Sequence, residues 1–133
     1  MVNVRAQLRT LRMSPKKVRL VINLVRGMNA IAAEEKLAFL GKRAAEPVAK
    51  LLHSAIASAL KNNNLKKESL RIAEVAVNPG PVTRRFRPRA HGSASPIRKR
   101  SSHITMTLSG VPEAVAPKVE TAREIAKETA EHK

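Results

Sequence analysis

The sequence predicts an α+β fold in which three helices pack on a small three-stranded antiparallel sheet, with a long protruding β-hairpin. Apolar and polar residues alternate with a period of two near residue 5 and again near residue 106, which is typical of half-buried strands. Between these segments lie stretches with helical spacing, and residues 79–103 form a basic run interrupted by prolines. We therefore expect one domain over residues 1–110 and a tail over residues 111–133, which forms either a frayed helix or a disordered segment.

The first predicted strand and the first predicted helix are adjacent at the N-terminus. The strand has one apolar face, made of Val2, Val4, Ala6 and Leu8. Ser14 followed by Pro15 is typical of a helix start, and Gly27 of a left-handed helix end, which predicts a helix over residues 15–26. Its predicted buried face comprises Val18, Val21, Ile22 and Val25. A second stripe is interpreted as an RNA contact, with a solvated face as the alternative: Lys16, Arg19, Asn23 and Arg26.

Two further helices are predicted in the middle of the chain. The second covers residues 30–40 and is closed by Gly41. The third begins near Ala44 and fades at residues 62–64, with Pro47 in its first turn, where the missing amide costs little. Small residues recur at helical spacing on its predicted core face: Ala45, Val48, Leu52, Ala55 and Ala59.

The predicted hairpin covers about residues 70–109. After a linker over residues 65–69, β-branched residues predict a strand over residues 70–78, and the alternation over residues 104–109 predicts its partner. The basic run connects the two and is too long for a tight turn. If the arms continue beyond the body, ten residues a side would project roughly 30 Å. A two-stranded ribbon by itself is only marginally stable in water, so we expect binding to a partner to order it.

The charge of the chain predicts a polyanionic partner. Lys and Arg total 26 against ten Glu and no Asp, a net charge of +16 that phosphates would compensate. An anionic membrane is the alternative, but the sequence lacks an amphipathic helix with bulky apolar anchors. It has neither a membrane-spanning stretch nor the apolar core of a signal peptide. We therefore expect a cytoplasmic location, with a cleaved organellar presequence as the other possibility.

The residues give no support for catalysis, a cofactor or a metal. Without cysteine, the chain has no disulfide, thiolate ligand or thiol nucleophile, and its glycines form no phosphate-binding loop. The four histidines lack metal-ligand spacing. Glu34 and Glu35 are adjacent and so point apart on a helix, and residues 101–103 match no nucleophile arrangement.

Arginine in the basic run favours folded RNA over DNA. Six Arg accompany one Lys there, and guanidinium groups bind phosphate bidentately and stack on exposed bases. With only Phe39 and Phe86 as aromatic residues, base-stacking platforms are disfavoured. An architectural DNA-binding protein with a proline-tipped arm, wedging Phe86 or Ile97 between bases, remains an alternative. An RNA-modifying enzyme is a second alternative.

Three blocks carry a family resemblance. Residues 14–21 read SPKKVRLV, followed by VRG at residues 25–27, and residues 54–57 read SAIA within the third predicted helix. Residues 88–92 read PRAHG, and residues 97–105 read IRKRSSHIT. Over about residues 5–109 the chain resembles the bacterial-type family of large ribosomal subunit protein twenty-two. The three blocks occur in the same order in that family.

The resemblance implies a structural protein of the large ribosomal subunit that aids subunit assembly and lines the nascent-peptide exit tunnel with its hairpin tip. The implied partners are large-subunit ribosomal RNA, neighbouring ribosomal proteins and the nascent polypeptide, with a monomer in the ribosome and no membrane. The implied RNA contacts are Arg12, Lys16, Lys17, Arg19, Arg84, Arg85, Arg87, Arg89, His91, Arg98, Lys99 and Arg100. The implied tunnel-lining tip is Arg84, Arg85, Phe86, Arg87, Pro88, Arg89, Ala90, His91, Gly92 and Ser93.

Some positions depart from the family pattern. Ser58 stands where the family commonly has Asn, and Ser93 where it commonly has Arg. Ser95 and Pro96 stand where polar or charged residues are usual. The returning side of the hairpin tip is therefore less cationic than the resemblance alone implies.

Overall fold

The computed structural model of the protein describes residues 1–112, and over these residues the predicted α+β architecture is confirmed. Single 3₁₀ turns lie at Lys67–Ser69 and Ala90–Gly92. The predicted tail falls, from residue 113 onward, outside the described residues. The strands and helices are, in chain order, β1 (Val2–Leu11), α1 (Pro15–Val25), α2 (Ala30–Phe39), α3 (Ala45–Asn63), β2 (Arg71–Pro88) and β3 (Ala94–Gly110).

The sheet has the strand order β1-β3-β2, and both strand pairs are antiparallel. In the central strand, Ile104, Met106 and Leu108 are fully buried, whereas the intervening residues are partly exposed. Successive side chains of a strand point to opposite faces, so one face of the sheet forms the core under the helices. The other face is open.

Helix α1 begins at Pro15, as the sequence predicts, and ends at Val25, one residue earlier than predicted. Ser14 has extended backbone angles before Pro15, although its side chain makes no capping hydrogen bond. Gly27 has a φ of 75°, which a glycine adopts without the steric cost that other residues meet. The predicted apolar face is buried in the core: Val18, Val21, Ile22 and Val25.

Helices α2 and α3 are also confirmed, with small differences at their ends and faces. Asn29 caps α2 by accepting a hydrogen bond from the Ile31 amide at 3.0 Å, and the helix ends at Phe39, one residue earlier than predicted. In α3 the predicted core residues are all buried, and Leu51 and Ile56, which the pattern omitted, are buried beside them. The buried face of α3 is therefore wider than the spacing of its small residues predicted.

The predicted linker over residues 65–69 is part of the body. Leu65 and Leu70 at its two ends are buried, with 1% and 0% exposure. Ser69 Oγ accepts a hydrogen bond from the Val111 amide at 3.1 Å, and Leu65 forms a β-bridge with Pro112. These contacts attach residues 111 and 112 to the body, slightly beyond the predicted boundary at residue 110.

The predicted hairpin is confirmed, but the predicted strands over residues 70–78 and 104–109 are too short. Strand pairing continues from Pro79 opposite Ser102 to Pro88 opposite Ala94. We call residues 79–102 the ribbon. Its prolines are compatible with strand structure because each strand of a two-stranded ribbon has one edge facing solvent, where no amide donor is needed.

Candidate nucleic-acid interface

The ribbon extends away from the body. From Pro79 to Pro88 it spans about 30 Å at the usual rise of a strand. Residues 81–94 are all exposed, including Phe86, which is 74% exposed. The described body therefore does not pack against the outer part of the ribbon, whose side chains are available to a partner on every side.

Cationic side chains project from both faces of the ribbon. Strand alternation places Arg84 on one face, with Arg98 and Arg100 on the opposite strand. The other face carries Arg85, Arg87 and Lys99. A polyanion lying on one face only would leave half of these charges uncompensated, so the arrangement suits a partner that surrounds the ribbon.

Two arginines of the ribbon face each other directly. Arg84 and Arg98 are cross-strand partners in the ladder. Like charges at directly opposed positions destabilise an antiparallel pair. The pairing therefore has a cost in the free protein that a bound phosphate between the two guanidinium groups would remove.

The ribbon closes in a hydrogen-bonded turn at its far end. The Arg89 amide donates to the Ser93 oxygen at 2.8 Å, and Ser93 Oγ donates to the Ala90 oxygen at 2.8 Å. His91 and Gly92 both have left-handed backbone, with φ of 58° and 68°. Ser93 stands where the family that the chain resembles commonly has Arg, and its side chain stabilises the turn.

The ribbon joins the body at a neck formed by residues 79–82 and 101–103. The ladder register shifts between Pro79 and Val82, and Ser101 Oγ donates across this bulge to the Pro81 oxygen at 2.6 Å. A Cβ atom on Gly80 would lie 2.6 Å from the same Ser101 Oγ. On the β1 side, His103 Nδ1 accepts from the Thr10 amide at 2.9 Å. The strands are therefore closely fitted where the ribbon leaves the sheet.

The predicted RNA-binding residues of the body lie on the neck side of the molecule. Leu11 pairs with Ser102, which places the exposed Arg12 next to the neck, and Lys16 and Lys17 are exposed in the first turn of α1. Arg19 has a second role, because its Nη2 donates to the Val77 main-chain oxygen at 3.0 Å. The sequence did not predict this bond, since helical spacing distinguishes a surface stripe from the core but not its partner.

Two of the described carboxylates, those of Glu34 and Glu46, pair with side chains outside this set of cations. Glu34 is within 2.9 Å of His53 Nδ1 and 3.8 Å of Lys67 Nζ, and Glu46 is 2.8 Å from Lys50 Nζ. The hydrogen bond and charge of Lys50 lower the pKa of Glu46. Over residues 1–112, none of the ion pairs involves a predicted RNA-binding residue.

Neither a metal-binding cluster nor a membrane-spanning helix is found in the part of the chain that the structure describes. It contains no cluster of three or more histidine and carboxylate side chains that would hold a metal ion. None of its helices is long and apolar enough to cross a membrane. A small α+β body with a long ribbon that is cationic on both faces defines a class, the small basic proteins that assemble with nucleic acid.

Comparison with known proteins identifies the family. The family model for ribosomal protein L22p/L17e matches residues 6–109. The large ribosomal subunit protein uL22 of Mesoplasma florum is 50% identical over 105 residues, which are 79% of this chain and 94% of that relative. The chain belongs to the ribosomal protein L22p/L17e family, whose members are structural proteins of the large ribosomal subunit and not enzymes. The resemblance drawn from the sequence is thus confirmed, and the alternative of an RNA-modifying enzyme is excluded.

Proposed function

We propose that the protein binds large-subunit ribosomal RNA through the ribbon and the neck side of its body, and that this binding aids subunit assembly. Residues 1–110 act as one RNA-binding domain, present as a monomer beside neighbouring ribosomal proteins. The observation that carries the proposal is the distribution of arginines over both faces of an exposed ribbon. Ribosomal RNA segments on either side supply the phosphates that such a ribbon needs.

Recognition depends on charge and shape. The proposed RNA contacts are arginines and lysines, and each separate phosphate contact releases counterions and so adds to the salt dependence of binding. Base stacking on large aromatic side chains contributes little, because Phe86 is the one Phe, Tyr or Trp of the ribbon. Phosphates also offset the repulsion between Arg84 and Arg98, so RNA binding and ordering of the ribbon reinforce each other.

The tip of the ribbon, residues 84–93, lines the nascent-peptide exit tunnel in this proposal. Its far end carries the small residues Ala90 and Gly92 in a turn closed by Ser93. A narrow, hydrogen-bonded turn about 30 Å from the neck can reach a passage that the body itself does not enter. The nascent polypeptide is the partner expected there.

RNA binding is tested by comparing two double variants that each remove two positive charges. Arg85→Gln with Arg89→Gln changes the ribbon, and Lys42→Gln with Arg43→Gln changes exposed residues between α2 and α3. In filter binding to large-subunit ribosomal RNA over a salt series, the ribbon variant should bind more weakly, with a salt slope lower by up to about 2. Equal losses in the two variants would contradict the proposal. Equal or tighter binding of wild type to duplex DNA would favour the DNA-binding alternative.

Tunnel lining is tested by crosslinking in ribosomes that hold a stalled nascent chain. The chain has no cysteine, so His91→Cys places a single thiol at the tip and Ser54→Cys places one on the exposed side of α3. The thiol at position 91 should crosslink to the nascent chain, and the one at position 54 should not. Crosslinking from neither position would overturn this part of the proposal.

A further inference from the structure

The face of the sheet opposite the helices is polar on each of its three strands. The central strand presents residues with short or polar side chains, which are partly exposed: His103, Thr105, Thr107 and Ser109. β1 presents exposed residues beside them: Asn3, Arg5, Gln7 and Arg9. β2 contributes Arg71, Glu74, Ala76 and Asn78 through its pairing with β3. Large apolar side chains are missing from these outward positions.

Two grooves follow this face. One of about 420 Å³ lies against Arg5, Arg9, Asn78 and His103, and a second of about 270 Å³ extends toward Glu74 and Thr107. They share Arg5, Asn78 and Thr105 and so lie side by side, and we call the two grooves together the trough. The hydroxyls of β3 form its floor, and arginines of β1 form one wall.

One side chain separates the two arginines of this wall and hydrogen-bonds to one of them at a time. Gln7 lies between Arg5 and Arg9 on the same face of β1. With its amide in the orientation that its neighbours favour, the Gln7 oxygen accepts from Arg5 Nη2 at 2.8 Å and from Nε at 3.1 Å. In the opposite orientation it accepts from Arg9 Nη2 at 3.5 Å. Either way, an uncharged side chain separates the two cations, and neither forms an ion pair within residues 1–112.

We infer that this trough is a second RNA-contact surface, which binds one backbone strand of ribosomal RNA with its phosphates on Arg5 and Arg9. This inference rests on the proposed function and adds a surface on the body that is separate from the ribbon. The floor suits a ribose-phosphate chain, because Thr105 and Asn78 can hydrogen-bond to 2′-hydroxyl groups. The strand runs along the β1 side, since the carboxylate of Glu74 borders the other side and repels phosphate.

Charge and composition favour RNA over a protein partner. Protein interfaces rely on apolar and aromatic anchors in their core, and the outward positions of this face have none. Phosphate contacts, by contrast, need cations and hydroxyl or amide groups, which this trough provides. Protection of the trough by a neighbouring ribosomal protein is therefore the competing outcome that the experiment must detect.

The first test measures protection of the trough floor. Thr107→Cys introduces a single thiol there, and Ser54→Cys on α3 reports general slowing of the reagent by RNA. Circular dichroism checks that both variants fold. Alkylation by iodoacetamide is followed in the free protein and in its complex with protein-free large-subunit ribosomal RNA. The rate at position 107 should fall about tenfold more than the rate at position 54.

An unchanged rate at position 107 in a complex that still binds RNA would overturn this inference and leave the proposed function intact. Protection that appears only in assembled subunits would assign the face to a protein and overturn it too. If the protein does not bind the RNA at all, the proposed function fails instead.

The second test measures the energetic contribution of the wall. Arg5→Gln with Arg9→Gln is compared with Lys42→Gln and Arg43→Gln, which remove the same charge from the helical side. The trough variant should lower the salt slope of RNA binding by up to about 2 and weaken affinity more than the control does. Equal affinities and slopes for the two variants would contradict a specific contact.

Discussion

The Arg19 guanidinium donates from Nη2 to the main-chain oxygen of Val77 at 3.0 Å, across the gap between α1 and β2. Arg26, two helical turns later, donates in the same way to Val75 at 3.2 Å. Within the described sheet β3 is the one strand that pairs with β2, and the other edge of β2 forms an isolated bridge between Arg71 and Asn29 at its start. Farther along that edge, backbone groups such as the Val75 and Val77 oxygens need other partners. Arg19 of α1 and Arg26 immediately after it thus bind this sheet edge and attach the first helix to it.

Replacing Arg19 with alanine should reduce stability as well as RNA affinity. The variant loses a charge-assisted hydrogen bond and leaves the Val77 oxygen without this partner, so urea unfolding should show a loss of about 1 kcal/mol. Lys16→Ala, on the same exposed stripe, should change stability by less than about 0.5 kcal/mol while weakening RNA binding. If the two variants unfold alike, the bond at Val77 contributes nothing measurable.

Helix α1 illustrates how far the sequence alone can go. Its limits and buried face follow from local signals, because Pro15 and Gly27 restrict the backbone and apolar spacing selects the core side. The role of Arg19 does not follow, since it depends on which strand happens to lie beside the helix. Sequence periodicity carries no information about a partner 58 residues away.

Leu52 provides a test of the predicted core. It is fully buried on α3, so Leu52→Ala should lower the free energy of unfolding by about 2 to 5 kcal/mol through the cavity it leaves. Leu60→Ala on the same helix is the matched control, because Leu60 is 37% exposed and its truncation leaves no enclosed cavity. Similar losses for both variants in denaturant unfolding would contradict the packing of α3 described above.

Substitution of Gly80 should destabilise the protein, because the neck has no room for a side chain at this position. An alanine Cβ would lie 2.6 Å from Ser101 Oγ and 3.3 Å from the Ser101 backbone carbon, so Gly80→Ala should cost about 1 to 3 kcal/mol in thermal or urea unfolding. Gly41→Ala is the control, since its Cβ would meet nothing within 4 Å.

A double variant separates crowding by the Ser101 hydroxyl from crowding by the backbone. Ser101→Ala alone should cost about 1 kcal/mol by removing the hydrogen bond to the Pro81 oxygen. Combined with Gly80→Ala it should cost less than the sum of the two, because the closest clash is gone. Strict additivity would mean that the cost of Gly80→Ala comes from the Ser101 backbone carbon and from His103 Nε2 rather than from the Ser101 hydroxyl.

The ribbon is where sequence and structure differ most, and the reason is physical. Arginines and prolines over residues 79–103 give no alternation of apolar and polar residues, so the local pattern indicates a loop. Pairing nevertheless continues to Pro88 opposite Ala94, because buried pairs such as Val77 and Ile104 hold the two strands side by side. Beyond the bulge at the neck the pairing resumes with its register shifted by one residue. The sequence also predicts that a partner is needed to order the ribbon. The pair of opposed arginines, Arg84 and Arg98, allows this prediction to be tested.

Replacing Arg98 should stabilise the ribbon of the free protein and weaken its binding to RNA. Arg98→Gln removes the repulsion with Arg84, so amide hydrogen exchange in the outer ribbon should slow about two- to fivefold, as expected for a few tenths of a kcal/mol up to one. RNA affinity should fall at the same time, with a salt slope lower by about 1.

Lys99→Gln separates these two effects. Lys99 lies on the other face of the ribbon, opposite Thr83, so its loss should leave exchange unchanged while weakening RNA binding to a similar degree. Added salt should slow exchange in the wild type by screening the Arg84 and Arg98 charges, and should do so much less in Arg98→Gln. Faster exchange in Arg98→Gln would mean that the arginine stabilises the free ribbon, and the cationic pair would then be a feature of folding rather than of binding. Slower exchange together with weaker binding is expected if the ribbon retains a destabilising charge because RNA requires it.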